Sequence, residues 1–541
     1  MAKGQESLPP AADAPRRPRV WGLRRVGRLL VVLLLCTPPV VAGAEGDRRV
    51  GGAAGPLRRG GALSPERLRA VTARLMTFGP RAVGGGGHAP AASYVGGRLL
   101  LAGLKPILTD TFACRVPDGG AAAPDDAQPA RRVACGSVVA FAHALPLADA
   151  WSLMKGQAED FTFDHPPGPD LEAALRQAAR DEGVARLAPF DVFKRPSALF
   201  PRAVVRCLLR RMVRARGGEA ADAPRARAAV MAGMLRDLAR AHEAVLVTAP
   251  LDMRPAPDAA AHGADESASL AVLCALAEYV ACESPRPRTR TLICAALDGH
   301  SRGAAGARSL ARMLAPGGAS VPGSKASRGG SPDPPRSGDG AAGAATRRAA
   351  SAGEAEGQES SEDAQLAALL GPSEAAARAP ALAEALEARP ADPAAVAEAE
   401  DVLVRLLRLD PYAVRLVLCL DLASDGRRVA MHVGGAEAVA GAGLRRWLSD
   451  LAERAPKGCR ARLSGGAKTV EDTASGRARA ALAAPGRPAV LLRTDGADRG
   501  RWFTAEDTTE RMDFAALSDQ AKAVAALLAE VLAAEALPGL P

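Results

Sequence analysis

The sequence predicts an α/β domain with a mixed, mostly parallel central sheet flanked by helices on both faces and interrupted by disordered insertions. Three observations predict it. Between Ala244 and Ala315 the pattern runs strand, loop, helix, strand, loop, helix, the alternation that builds a parallel sheet. Val414 to Leu422 (VRLVLCLDL) is nearly all apolar, as a strand buried on both faces must be. Phe514 to Ala534 is a long amphipathic helix, able to lie across one face of such a sheet.

At the N-terminus, Arg16, Arg17, Arg19, Arg24, Arg25 and Arg28 precede an apolar run from Leu29 to Cys36, then Pro38, Pro39 and small residues at Ala42 and Ala44. A basic region, a short apolar core and a small-residue exit make residues 1–44 a secretory signal, cleaved or retained as an anchor. Residues 45–62 read as a flexible linker, and residues 63–145 as the first part of the domain. Ser64-Pro65-Glu66 places an N-cap before a proline at the first helical position. A second helix spans about Pro90 to Ala102, and strands span Leu104 to Val116 and Val133 to His143. Cys114 and Cys135 flank the intervening loop, at positions where an oxidising lumen would allow a disulfide.

Residues 146–243 read as a helical insertion, with helices at Leu171–Ala188, Pro201–Arg216 and Arg225–His242. Residues 244–315 form the core, and 316–364 a Gly-, Ser- and Pro-rich insertion without periodicity. Residues 365–537 complete the domain: helices over 365–408 broken at prolines, the strand at Val414, a strand at Val429–Val433, a helix at Ala442–Arg454, a strand at Arg487–Arg493, and the closing helix.

The 541 residues carry a net charge of +10, yet only 3% are aromatic and the excess Arg is scattered. With no aromatic interleaving and no recognition motif, nucleic acid is excluded as a partner class. The chain has no Asn, so N-glycosylation is impossible.

Four stretches in order give a family resemblance. SPERLRAVTARLMTFGPRAVGGGG is similar to the opening helices of the family-28 metallopeptidases, the di-zinc aminopeptidases. GADESAS resembles their G-A-D-D-N-A-S loop, LDGHSRGAAGA their D-G-E-E-x-G-x-x-G-S loop, and WFTAEDTTERMD their Y-H-T-x-x-D-T closing motif. The resemblance implies that fold and places its ligand positions on this chain. The H-x-D pair falls on Pro250 and Asp252, the bridging carboxylate on Glu266 beside Asp265, the catalytic Glu and next ligand on His300 and Ser301. The later Asp falls on Asp421 and the final His on Phe503. Pro and Phe cannot bind zinc, and without a Glu at position 300 the water-activating base is gone. The expectation is a pseudoenzyme with no catalytic residue and no cofactor. Asp252, Asp265, Glu266, His300 and Asp421 then line a remnant groove, where an open α/β sheet holds its ligands. The enzyme alternative is a rearranged zinc site of His262, Asp265, Glu266, His300 and Asp421.

Among degenerate relatives the chain looks most like the Gaa-type subunit of GPI transamidase. The carrying stretches are VLVTAPLDM, GLKPILTDTFACRVP with CGSVVAFAHALP, and LDLASDGRRVAMHVGG with KGCRARLSG. Nicalin and nicastrin are the close alternative, through VLCLDLASDGRRVAMHV and RPAVLL. Both resemblances imply residence in the endoplasmic reticulum lumen or membrane. They imply as partners the other subunits of a membrane-bound complex, and in the first case the GPI lipid or the acceptor protein. Both groups carry further membrane spans, for which no later segment here is apolar enough.

Overall fold

A computed structural model describes residues 61–117, 130–151, 209–210, 212–213, 216, 223–253, 263–315, 361–408, 411–426, 428–433, 441–454, 461–463, 473–484, 486–497, 499, 504 and 506–537. The chain divides into two units, Met1–Gly51 and Gly52–Pro541, and every described residue belongs to the second. The expected signal, the helix at 171–188, most of the helix at 201–216, and the insertion up to residue 360 lie outside the described residues.

Eight strands form one sheet: β1 (Ile107–Pro117), β2 (Ala130–Ala142), β3 (Glu243–Pro250), β4 (Thr291–Leu297), β5 (Ala413–Asp421), β6 (Arg428–Val433), β7 (Ala461–Leu463) and β8 (Ala489–Asp495). Their order is β1-β2-β4-β3-β5-β8-β6-β7. The pairings β4/β3, β3/β5 and β5/β8 are parallel and form the centre. β6/β7 is also parallel, while β1/β2, β2/β4 and β6/β8 are antiparallel. The expected mixed, mostly parallel sheet is therefore present. β3, β4 and β5 are buried almost end to end, which is why their sequences are apolar runs rather than alternations.

Each face of the sheet carries its own core, because successive side chains leave a strand on opposite sides. Val245, Val247, Leu292, Cys294, Leu416, Leu418 and Leu492 face α1 (Pro65–Met76), α2 (His88–Leu101), α4 (Ala268–Cys282), α9 (Gly441–Arg454) and α11 (Phe514–Ala533). Leu246, Ile293, Val417, Cys419 and Leu491 face α3 (Pro224–Ala241), α5 (Ala305–Met313), α6 (Ser361–Leu369), α7 (Glu374–Ala388), α8 (Pro393–Leu407) and α10 (Ala474–Leu482). Ser64 caps α1 by accepting from the Arg67 amide at 3.2 Å, with Pro65 at the first position, as the sequence predicts.

Three details differ from expectation. Pro380 lies inside α7 instead of breaking it. Ala474–Leu482 is a helix that the sequence does not announce: ASGRARAAL is short and has no apolar stripe. Cys114 and Cys135 are free buried thiols, not a disulfide. Cys114 lies opposite Val133 and Cys135 opposite Phe112, so the two are diagonal neighbours. Their side chains lie in hydrogen-bonding contact across the strand pair.

Candidate functional site at the C-terminal edge of the sheet

The four central strands run in one direction, so their C-terminal ends share one edge. The segments leaving that edge carry the polar residues: Asp252 after β3, Gly263–Ser267 at the entry to α4, Asp298–Ser301 after β4, Asp421 at the end of β5, and Arg499 after β8. All the expected groove residues that are described lie here. His262 and Phe503 lie outside the described residues.

Asp252 is buried at 5% exposure, and both its oxygens are taken. Oδ1 accepts from the His300 amide at 2.6 Å. Oδ2 accepts from the Ser301 amide at 3.0 Å and the Ser301 hydroxyl at 2.6 Å. The loop after β4 has folded onto this carboxylate. Burial pushes the Asp252 pKa up to about 6, against the Ser301 bonds, and the nearby Asp298 charge adds to the rise. The His300 ring points elsewhere: its Nε2 lies 3.2 Å from Ser475 Oγ, on the first turn of α10. Pro250 ends β3, pairs in register with Leu297 and offers no donor.

The turn itself is held by Asp298, whose Oδ1 accepts from the Gly299 amide and whose Oδ2 accepts from the Gly136 amide of β2. His88, at the start of α2, forms an ion pair with Asp298 at 2.9 Å. Burial works against the imidazolium of His88, but the bond to Asp298 and the charges of Asp298 and Asp252 outweigh it, and its pKa is raised. Gly299 (φ 62°) and Gly306 are required here: a Cβ on Gly306 would lie 2.4 Å from the Asp298 carbonyl oxygen.

Asp265 accepts from the Ser424 amide at 2.6 Å, and its own amide donates to Asp507 Oδ1 at 2.7 Å. It thus joins the α4 entry to the loop after β5 and to the closing motif before α11. Beside it lies Arg81, 1% exposed, which donates to the Leu251 carbonyl at 3.2 Å and to Ser267 Oγ at 2.7 Å. Burial lowers the Arg81 pKa to about 10, opposed by the charges of Glu266, Asp252 and Asp507. A fixed cation therefore stands among three carboxylates. Asp421 accepts from Arg499 at 2.8 Å on Oδ1, and Arg493 Nε lies 3.5 Å from Oδ2. A second Arg499 nitrogen holds the Asp421 carbonyl at 3.0 Å.

The zinc pair that the resemblance brings to mind needs carboxylate oxygens and imidazoles converging on shared points. Among the described residues no three His, Cys, Asp or Glu side chains converge in that way. Both oxygens of Asp252, Oδ1 of Asp265 and Oδ1 of Asp421 already accept from backbone amides, a hydroxyl and a guanidinium group, and Arg81 adds positive charge near Asp252. The described residues do not fit the metals.

Arg81, His88, Ser475, Arg499 and Asp507 complete this edge, and sequence reasoning did not single them out. Asp507 stands inside the WFTAEDTTERMD stretch, the one signal available. Arg81 and Arg499 are hidden by the abundance of Arg throughout the chain.

No family model matches the chain, and no curated protein does either. Its fold is similar to that of solved structures. Porphyromonas gingivalis glutaminyl cyclase is 11% identical with a TM-score of 0.40, covering 87% of this chain and 100% of its own. A leucine aminopeptidase precursor from Bacteroides thetaiotaomicron is 11% identical with a TM-score of 0.37, covering 86% and 96%. A Zn-dependent exopeptidase from Parabacteroides distasonis is 12% identical with a TM-score of 0.35, covering 87% and 98%. The chemistry of the site is read from this chain's own residues.

Proposed function

We propose that this chain is a non-catalytic, peptidase-like subunit of GPI transamidase on the luminal side of the endoplasmic reticulum. There it would help bring lipid anchor and acceptor protein to a separate catalytic subunit. One observation carries the non-catalytic part. Asp252 and Asp421, the acids at retained ligand positions, and Asp265, beside the bridging position Glu266, each accept from protein donors, and the loop after β4 is one of those donors. A hydrolytic site needs carboxylates free to turn toward metal and water. Here that rotation would unsatisfy buried amides and buried arginines, at about 1–3 kcal/mol per group. The assignment to GPI transamidase rests on the motif resemblance, with the signal-like N-terminus supporting secretory residence.

Affinity purification of the full chain from its own cells tests the assignment. Recovery of transamidase subunits is expected. Recovery of a translocon-associated complex without them would replace this reading with the nicalin-like scaffold. The retained positions of Asp252 and Asp421 favour one further reading, a diverged zinc aminopeptidase. Metal analysis and peptidase assay of the purified chain decide against it or for it.

A further inference from the structure

We infer that the α10 side of the C-terminal edge holds an anion site built on Arg493 and His432, and that it takes a phosphate monoester or diester. The placement follows from the pleat. Cys419 and Leu491 point into the core beneath α10, so Asp421 and Arg493, two residues further along the same strands, share that face. His432 lies directly across the ladder from Leu491 and so shares it too. Arg479 of α10, 5% exposed, comes down onto this face from above.

The charges on this face do not cancel. Arg428 stands across the ladder from Asp495, one cation opposite one anion. Asp421 is engaged at close range by Arg499 through two contacts. Arg493 is left with a single 3.5 Å ion contact to an oxygen of that same Asp421, and forms no hydrogen bond to a described residue. Its side chain is 25% exposed, enough for a solute to reach it. His432, half-buried, likewise forms no hydrogen bond to a described residue; burial first and Arg493 next disfavour its protonated form, with Asp421 and Asp495 acting the other way. A guanidinium fork with open donors, beside a crowded imidazole and within reach of other arginines, is the arrangement that binds a tetrahedral oxyanion. A carboxylate ligand would use the fork but leave the imidazole unpaired, so phosphate fits better. The inference is independent of the complex to which the chain belongs.

Titration of the purified full chain tests it, with inorganic phosphate and with vesicles of phosphatidylcholine alone or containing phosphatidylinositol as probes. Phosphate is expected to bind and to shift the His432 ring resonances. Arg493→Gln should weaken binding about tenfold, the loss of one charge-assisted fork. Arg493→Lys should retain part of it, and Arg511→Gln, an exposed residue paired with Glu506, should change nothing. Binding to phosphatidylinositol vesicles but not to phosphatidylcholine, lost in Arg493→Gln, identifies a lipid headgroup. Phosphate binding with no vesicle preference identifies a soluble phosphate ligand. The inference is overturned if phosphate neither binds nor moves His432, or if binding survives Arg493→Gln unchanged.

Discussion

The two ends of the sheet hold their buried polar groups in different mixtures of charged and neutral contacts. At the C-terminal edge, charge is set against charge: Asp252 with its loop amides, Asp298 with His88, Asp421 with Arg499, and Arg81 among carboxylates. At the N-terminal edge a neutral, aromatic cluster stands beside one ion-pair network, in which Arg415 and the buried Arg290 share Glu243. Tyr412 Oη lies 2.8 Å from His143 Nδ1, and the Tyr412 ring stacks on His242 at 5.1 Å. Trp151 packs edge-on to His143 and donates to the Leu407 carbonyl at 3.0 Å. Burial pushes the His143 pKa down to about 3, with the nearby His242 and Arg288 acting in the same direction, so the ring is neutral. A neutral network asks only to be packed. A charged network loses far more when one member goes, because the partner is left buried and unpaired. The recognition surface proposed above lies at the more heavily charged C-terminal edge.

Substitutions can break that contrast, and the largest effect is expected at Asp421. Asp421→Ala leaves Arg499 and Arg493 facing each other without a counter-charge, and should cost about 3 kcal/mol of unfolding free energy. Denaturant titration reads it directly. Asp252→Ala comes next, at about 2–3 kcal/mol, since two loop amides and a hydroxyl lose their acceptor. At the other edge, Tyr412→Phe keeps the ring contacts with Phe141, His143 and His242 and removes one neutral hydrogen bond, so about 1 kcal/mol is expected. If Tyr412→Phe costs more than Asp421→Ala, the contrast drawn between the edges is wrong.

Acidity separates the edges by sign. His143 is held neutral with its folded pKa below the ordinary value near 6.5, so the unfolded chain binds more protons. Its contribution is complete above about pH 6.5 and is lost as pH falls toward 3. Asp252 behaves oppositely, because its folded pKa of about 6 lies above the unfolded value. The folded chain binds the extra proton, so this contribution is present below about pH 4 and is lost as pH rises through 6. Asp110, buried under α5 beside Ser309 and also raised to about 6, has the same sign as Asp252. Relative to the parent chain, the slope of the denaturation midpoint against pH between about 4 and 8 should become more negative in His143→Phe and more positive in Asp252→Asn. The same slope in all three would remove these groups from the account.

Much of the fold was legible because apolar runs and glycine or proline breaks are strong signals. The spine from Val245 to Leu297, the Ser64 cap and the closing helix follow directly from them. The groove was legible in position, since strand ends in a parallel sheet share an edge. Its bonding was not. That Asp252 faces His300 and Ser301 depends on how tightly a turn closes 48 residues away. That Asp421 meets Arg499 depends on the loop after β8 folding back. α10 escaped notice because Ala474–Leu482 shows no amphipathic period, and with it went Ser475 and Arg479. The register that sets Cys114 and Cys135 diagonal to each other could not be read across the twelve residues between β1 and β2.

The central claim is that Asp252, Asp265 and Asp421 are held by protein donors and do not bind metal. The most direct test is the zinc content and peptidase activity of the purified full chain after dialysis against micromolar zinc. No stoichiometric zinc, no zinc-dependent rise in stability and no peptidase activity are predicted. About two zinc ions per chain with peptidase activity would contradict the account.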